Sequence, residues 1–154
     1  MGDTYQVTAE GFRDLIEGIT AIEADFKGPG LNRLATQVGA ALLNRIRTRF
    51  LATTDPDGKE WVESAAARRR KRTGRDGKTL FDTGTLWNSI QLGRAAGGEV
   101  SIGTDVPYAR QHQFGEEGNP VRVFLGFGQD DAQFAESVVQ KRIDEILRLN
   151  KGKT

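Results

Sequence analysis

The chain has no cysteine and a single histidine among its 154 residues. Without thiols it forms neither a disulfide nor a thiolate metal site, a composition that fits a reducing cytoplasm. One imidazole leaves little for a zinc site or for imidazole-based catalysis. No apolar run approaches the ~20 residues needed to span a bilayer. The N-terminus also lacks a basic region followed by an apolar segment, so neither a membrane span nor a signal peptide is expected.

What is present is ordinary in total and uneven in distribution. Hydrophobic residues make up 37% and charged residues 28%, which suits a globular domain, and the length suits one domain over 1–154 with a real core. The net charge of +1 conceals a local imbalance. Residues 1–30 carry six acids against two bases, and residues 31–54 carry four arginines and no acid. Opposed patches of this kind suit head-to-tail contact between copies; the alternative is a mixed solvated surface.

Tyr5 to Thr8 fits a short first strand. Phe12, Leu15, Ile16, Ile19, Ile22 and Phe26 recur at helical spacing, so a helix is expected over 10–26. Lys27-Gly28-Pro29-Gly30 breaks it. Leu31, Leu34, Val38, Leu42, Ile46 and Phe50 form one stripe and predict a long helix over 31–51. Arg45 and Arg49, four apart near its C-terminal end, complement the helix dipole. With Arg47 they belong to a solvated back or, alternatively, contact a partner or DNA phosphates. A last helix is expected over 130–149, capped by Asp130. Its acids lie early and its bases late, and Phe134, Ala135, Val138, Val139, Ile143, Ile146 and Leu149 form its buried side.

Residues 52–79 form a turn-rich, basic loop. Pro56 and Gly58 mark a chain reversal. Asp55 and Asp57 match the start of a calcium loop, but the later ligands are missing. Trp61 suits an anchor against the core or a neighbouring subunit. Arg68, Arg69, Arg70, Lys71 and Arg72, followed by Arg75 and Lys78, are the densest charge block. Three readings fit it: a mobile self-repelling loop, an arm docking on an acidic patch of another copy, or a surface meeting DNA phosphates without sequence specificity. No aromatic interleaves with these bases, which disfavours a single-strand stacking platform.

Catalysis needs convergent groups of matched roles. His112 is the one neutral-pH acid or base, and neither Ser89 nor Ser101 sits in a Gly-x-Ser-x-Gly elbow. Glu116 and Glu117 are adjacent, so their side chains diverge. Gly152-Lys153-Thr154 lacks the upstream glycine and following helix of a phosphate loop. No enzyme activity, cofactor or metal is expected.

Residues 80–126 carry the densest pattern. Asp82-Thr83-Gly84 opens a short helix with Leu86 and Ile90 on one face. Gly97-Gly98 turns a hairpin, and Val100 and Ile102 alternate with Ser101 and Gly103 as in a half-buried strand. Pro107 starts a second short helix, which Gly115 ends. Pro120 to Gly126 fits extended chain, with Val121, Val123 and Leu125 on one face and Arg122 and Phe124 on the other. The fold class expected is α+β: a small antiparallel sheet flanked by helices.

Several segments in this order resemble one family. They are Asp55-x-Asp57-Gly58-Lys59-x-Trp61, Thr83-Gly84-x-Leu86-x-x-Ser89-Ile90, Val100-x-Ile102-Gly103-Thr104, Tyr108-Ala109-x-x-His112-Gln113-Phe114-Gly115, and Pro120-x-Arg122-x-Phe124-Leu125-Gly126. Together they are similar to the phage virion morphogenesis family, which includes tail-completion proteins of Mu-like and related contractile-tailed phages. The likeness runs roughly from Leu31 to Leu149. Val123 departs from it, standing where the family usually has a second proline. The resemblance implies a structural virion protein of the tail end or neck, made in the host bacterial cytoplasm. It would work as a ring of its own copies, six being favoured, and would terminate or complete the tail and join it to the head connector. Its partners would be tail tube or sheath proteins and connector or neck proteins. An accessory DNA-binding role through the basic loop, in contact with packaged DNA, is the alternative. Trp61, Arg68 to Arg72, Phe114 and Arg122 are the expected contact residues; core packing for Trp61 and Phe114, and plain solvation for the arginines, is the competing expectation.

Overall fold

A computed structural model describes residues 9–151, with side chains from residue 16 onward. The strand expected at Tyr5 to Thr8 lies outside them. Helix α1 runs Ala9–Asp25 and α2 Gly28–Ala52. Two short helices follow, α3 Ala65–Arg72 and α4 Thr85–Ser89. Strands β1 Gln91–Leu92 and β2 Ile102–Gly103 make a two-stranded antiparallel sheet. Helix α5 spans Ala109–Phe114, a single 3-10 turn covers Glu116–Gly118, and α6 spans Gln129–Lys151. The architecture is α+β, with the long and C-terminal helices where periodicity puts them.

Helix α2 organises the rest. It begins at Gly28, earlier than the break at 27–30 suggested, because Pro29 sits in its first turn, where a missing N–H costs no helical bond. The corner from α1 is tight: a Cβ on Gly30 would overlap the Asp25 carbonyl oxygen. Helices α1 and α6 pack antiparallel, with Gly18 against Leu147. Arg142 at one end donates from Nε and an Nη to the two oxygens of Asp25, both at 2.9 Å. Leu149, expected on the buried side of α6, is exposed.

The hairpin lies along α2. Gly39 provides the crossing point, since a Cβ there would stand 2.7 Å from Leu92 Cδ1 and from Val100 Cγ1. Gly97 and Gly98 both have positive φ (61° and 82°) and are bracketed by reciprocal Ala96–Glu99 hydrogen bonds, a two-residue turn matched to strand twist. The pairing Leu92–Ile102 gives way to Ala96–Glu99, so Arg94 and Ala95 together oppose Val100 in a bulge. The hairpin tip is pinned where Asn32 Oδ1 accepts from the Gly98 N–H.

Around the C-terminal half of α2, Ile46, Phe50, Trp61, Leu86, Ile90, Ala109 and Phe124 form the core. Phe50 meets Trp61 and Phe124 edge-on, at 5.3 and 5.8 Å between ring centres, a favoured aromatic geometry.

Two expectations change here. Pro120 to Gly126 is extended but joins no strand, because side chains and single carbonyls satisfy its backbone. Gln113 accepts from the Phe124 and Leu125 N–H groups and donates to the Leu125 carbonyl, while the Arg122 N–H donates to the His112 carbonyl. The alternation holds, with Arg122 and Phe124 as the buried pair. At α6, the cap is supplied by Asp131 and not by Asp130: Asp131 Oδ2 accepts from the Gly128 N–H at 2.8 Å, as the third helical residue does in a capping box.

Candidate interaction surfaces

The basic run is a helix rather than a loop. Ser64 caps α3 by accepting from the Ala67 N–H at 3.0 Å. Gly74, at φ 72°, ends it, with the Gly74 and Arg75 N–H groups returning to Lys71 and Arg70 carbonyls. This is the double-bonded glycine stop that satisfies late helical carbonyls. Ala67 is fully buried and seats the helix.

The basic residues divide by direction. Arg70 points inward and donates to the carbonyls of Asp76, Lys78 and Phe81, and lies 3.6 Å from Asp82. Lys71 pairs with Glu63. Arg69 and Arg72 are exposed, and neither forms an ion pair among the described residues; Arg68 is exposed and donates to the Glu63 carbonyl.

Three of the four arginines in α2, Arg45, Arg47 and Arg49, are turned inward, and the exposed Arg33 lies 3.7 Å from Asp25, so residues 31–54 do not present the basic patch their composition suggested. Asp131 is 1% exposed and receives Arg45 Nε at 2.7 Å and Arg49 Nη1 at 2.5 Å. Burial alone would raise the Asp131 pKa; the two arginines and the Gly128 N–H outweigh it and hold the carboxyl below its usual range. Arg49 also donates to the Gly126 carbonyl, and Arg47 to the Ile90 carbonyl, over the Trp87 ring. A polar cleft of about 570 Å³ opens beside this cluster, bordered by Arg45, Arg49, Pro56, Asp57 and Asp130. Its arginines are committed to Asp131, so it offers little free positive charge.

The other expected contact residues separate clearly. Trp61 is 8% exposed, and its Nε1 donates to the Val123 carbonyl; it anchors the core. Arg122 is 3% exposed and donates from Nε to the Val62 carbonyl at 2.8 Å. Both are inaccessible in the isolated chain, so neither forms an open contact surface. Phe114 is 64% exposed beside Arg110. Tyr108, Val121 and Val62 are exposed around the same short helix. Val121 lies against Gly115, and Val62 is tied to Arg122 beside it. Sequence reasoning identified Phe114 and missed the other three: Val121 reads as one face of the extended segment with Val123 and Leu125, and nothing in the sequence marks Tyr108 or Val62 as exposed.

His112 lies beneath this cluster. Burial lowers its pKa, the Arg122 charge adds to the effect, and Nδ1 is buried with no hydrogen bond. Its ring contacts Tyr108 edge-on at 6.3 Å. Ser89 Oγ is occupied with the Leu86 carbonyl and the Thr104 hydroxyl, and His112 makes no hydrogen bond to either candidate serine. Asp55 uses its carboxylate on the Asp57 and Lys59 N–H groups of its own turn. Among the described residues no group of three or more His, Asp or Glu side chains is placed to hold a metal, and no helix is long and apolar enough to cross a membrane.

No curated protein and no solved structure matches the chain. A sequence model of the phage virion morphogenesis family matches residues 12–144, which takes in the core, the hairpin, α3 and the α5 cluster.

Proposed function

Because the chain belongs to the phage virion morphogenesis family, we propose that it is a structural protein of the tail end or neck, which completes or terminates the tail and joins it to the head connector. In this reading it works as a ring of identical copies, six being the favoured number. It makes contact on one side with tail tube or sheath proteins and on the other with connector or neck proteins. Its part is mechanical and not catalytic.

The observation that carries the ring is the cluster of Tyr108, Phe114, Val121 and Val62. Large apolar side chains gathered at one exposed place mark a surface that another protein covers, and aromatic residues are the usual anchors of such contacts. A ring repeats one heterologous interface until it closes. Each contact can then be modest, since every copy is held on two sides. The test is the native mass of the purified protein across concentration and salt, together with its presence in purified particles. A discrete closed oligomer weakened by Phe114→Ser is the expected result. A monomer under every condition that is also missing from finished virions would refute the proposal.

A further inference from the structure

The outer face of α3 is a second surface, with a different chemistry. We infer that Arg68, Arg69, Arg72 and Arg75 form a sequence-independent contact for the phosphates of duplex nucleic acid. This inference does not depend on the ring.

At 3.6 residues per turn, Arg68, Arg72 and Arg69 fall within an arc of about 100°. Buried Ala67 lies opposite, flanked by Arg70 and Lys71. The nearby acids are already occupied by the inward bases: Glu63 by Lys71, Asp82 by Arg70 and Asp76 by Lys78. The outward guanidinium groups of Arg69, Arg72 and Arg75 have no carboxylate partner among the described residues, and neither does that of Arg68. Arg75 is exposed just past the glycine stop at Gly74, where its N–H bonds to the Arg70 carbonyl at the C-terminal end of the helix. Arg68 and Arg72 are separated by about 6 Å along the helix axis, close to two base steps of ~7 Å.

The face distinguishes a nucleic acid from an acidic protein. It holds no large apolar side chain; Ala65 and Ala66 are the only uncharged residues exposed on the helix. Protein interfaces draw their strength from buried apolar anchors and are poor in charge at their centres. Phosphate binding needs no such anchor, because release of condensed counterions supplies the free energy. The lack of an exposed aromatic on this face favours a duplex over a single strand. Arg70, identical in type and central in the run, takes no part in contact: its guanidinium holds the 76–81 segment against the helix.

The test is fluorescence anisotropy with labelled random-sequence duplexes. Four phosphate contacts predict an affinity that falls on the order of 100-fold between 50 and 200 mM salt, equally for all sequences. The R68Q/R69Q/R72Q/R75Q variant keeps good helix formers in place and should lose that salt dependence while retaining the wild-type circular dichroism. If it does not fold, R69Q/R72Q serves instead and should lose about half the logarithmic salt slope. A variant carrying lysine at all four positions should keep the slope. Absence of salt-sensitive binding by the wild type, or equal binding by the glutamine variants, would overturn the inference. So would tighter binding of polyglutamate than of duplex at equal charge, which would assign the face to an acidic protein.

Discussion

Removing the Asp131 carboxylate tests how α2 and α6 are held together. In Asp131→Ala the buried acceptor of Arg45, Arg49 and the Gly128 N–H disappears at once. Breaking a buried ion pair from one side costs roughly 3–5 kcal/mol, because the remaining charge stays buried without a partner. Arg45 keeps 35% of its side chain in water, and Arg49 retains the Gly126 carbonyl, so the lower end applies, about 3 kcal/mol. For a domain of this size that is a fall in Tm of about 6–12 °C. Urea unfolding monitored by tryptophan fluorescence measures it directly. In a double-mutant cycle with Arg49→Met, the two losses should fail to add by at least about 1 kcal/mol. The pH dependence has a defined sign. The folded pKa lies below the unfolded value of about 3.9, so this stabilisation is complete above that value and is lost as pH falls through the folded pKa. Asp131→Asn should therefore flatten the acid limb of the stability curve below about pH 4. A loss under about 1 kcal/mol, or strict additivity with Arg49→Met, would refute this account of the α2–α6 junction.

Trp61→Ala should cost about 3–5 kcal/mol of unfolding free energy measured in urea, as a core truncation. Phe114→Ser should stay within about 0.5 kcal/mol while reducing self-association by analytical ultracentrifugation. The reverse ranking would interchange core and surface. Because His112 has a lowered pKa, the unfolded chain takes up its proton first, and stability should fall as pH drops from about 6.5. His112→Asn should remove that slope, seen as urea midpoints that no longer change between pH 7 and 5. Gly30→Ala should lower Tm by an amount equivalent to about 1–3 kcal/mol, despite alanine's better helix propensity, through the clash with the Asp25 carbonyl.

The long helices were legible because apolar residues at helical spacing fix the element; the inner face followed in α2, where Leu34, Ile46 and Phe50 are buried, but not throughout α1 and α6, where Ile16, Ile19 and Leu149 of the expected stripes are exposed. The hairpin was legible because Gly97-Gly98 supplies two positive φ angles in succession. Helix α3 was hidden by its own charge, which leaves no apolar period to read. Its two ends were nevertheless written in the chain, as Ser64 before three alanines and Gly74 two residues after Arg72. The fates of the arginines were not legible. Arg45 and Arg49 find Asp131 more than eighty residues away, and Arg122 finds a carbonyl sixty residues back. Local pattern carries no information about such partners. The same limit applies to Gln113, whose side chain replaces a missing strand for 124–125; a glutamine between a histidine and a phenylalanine gives no sign of this.

Helix α2 also acts as a gauge. The hairpin tip is fastened at Leu31 and Asn32, and the aromatic core that backs the α5 cluster closes on Phe50. These points are about 28 Å apart on one unbroken rod. The rod therefore sets the separation between the tip and the cluster, so that a partner touching both would have to match that spacing.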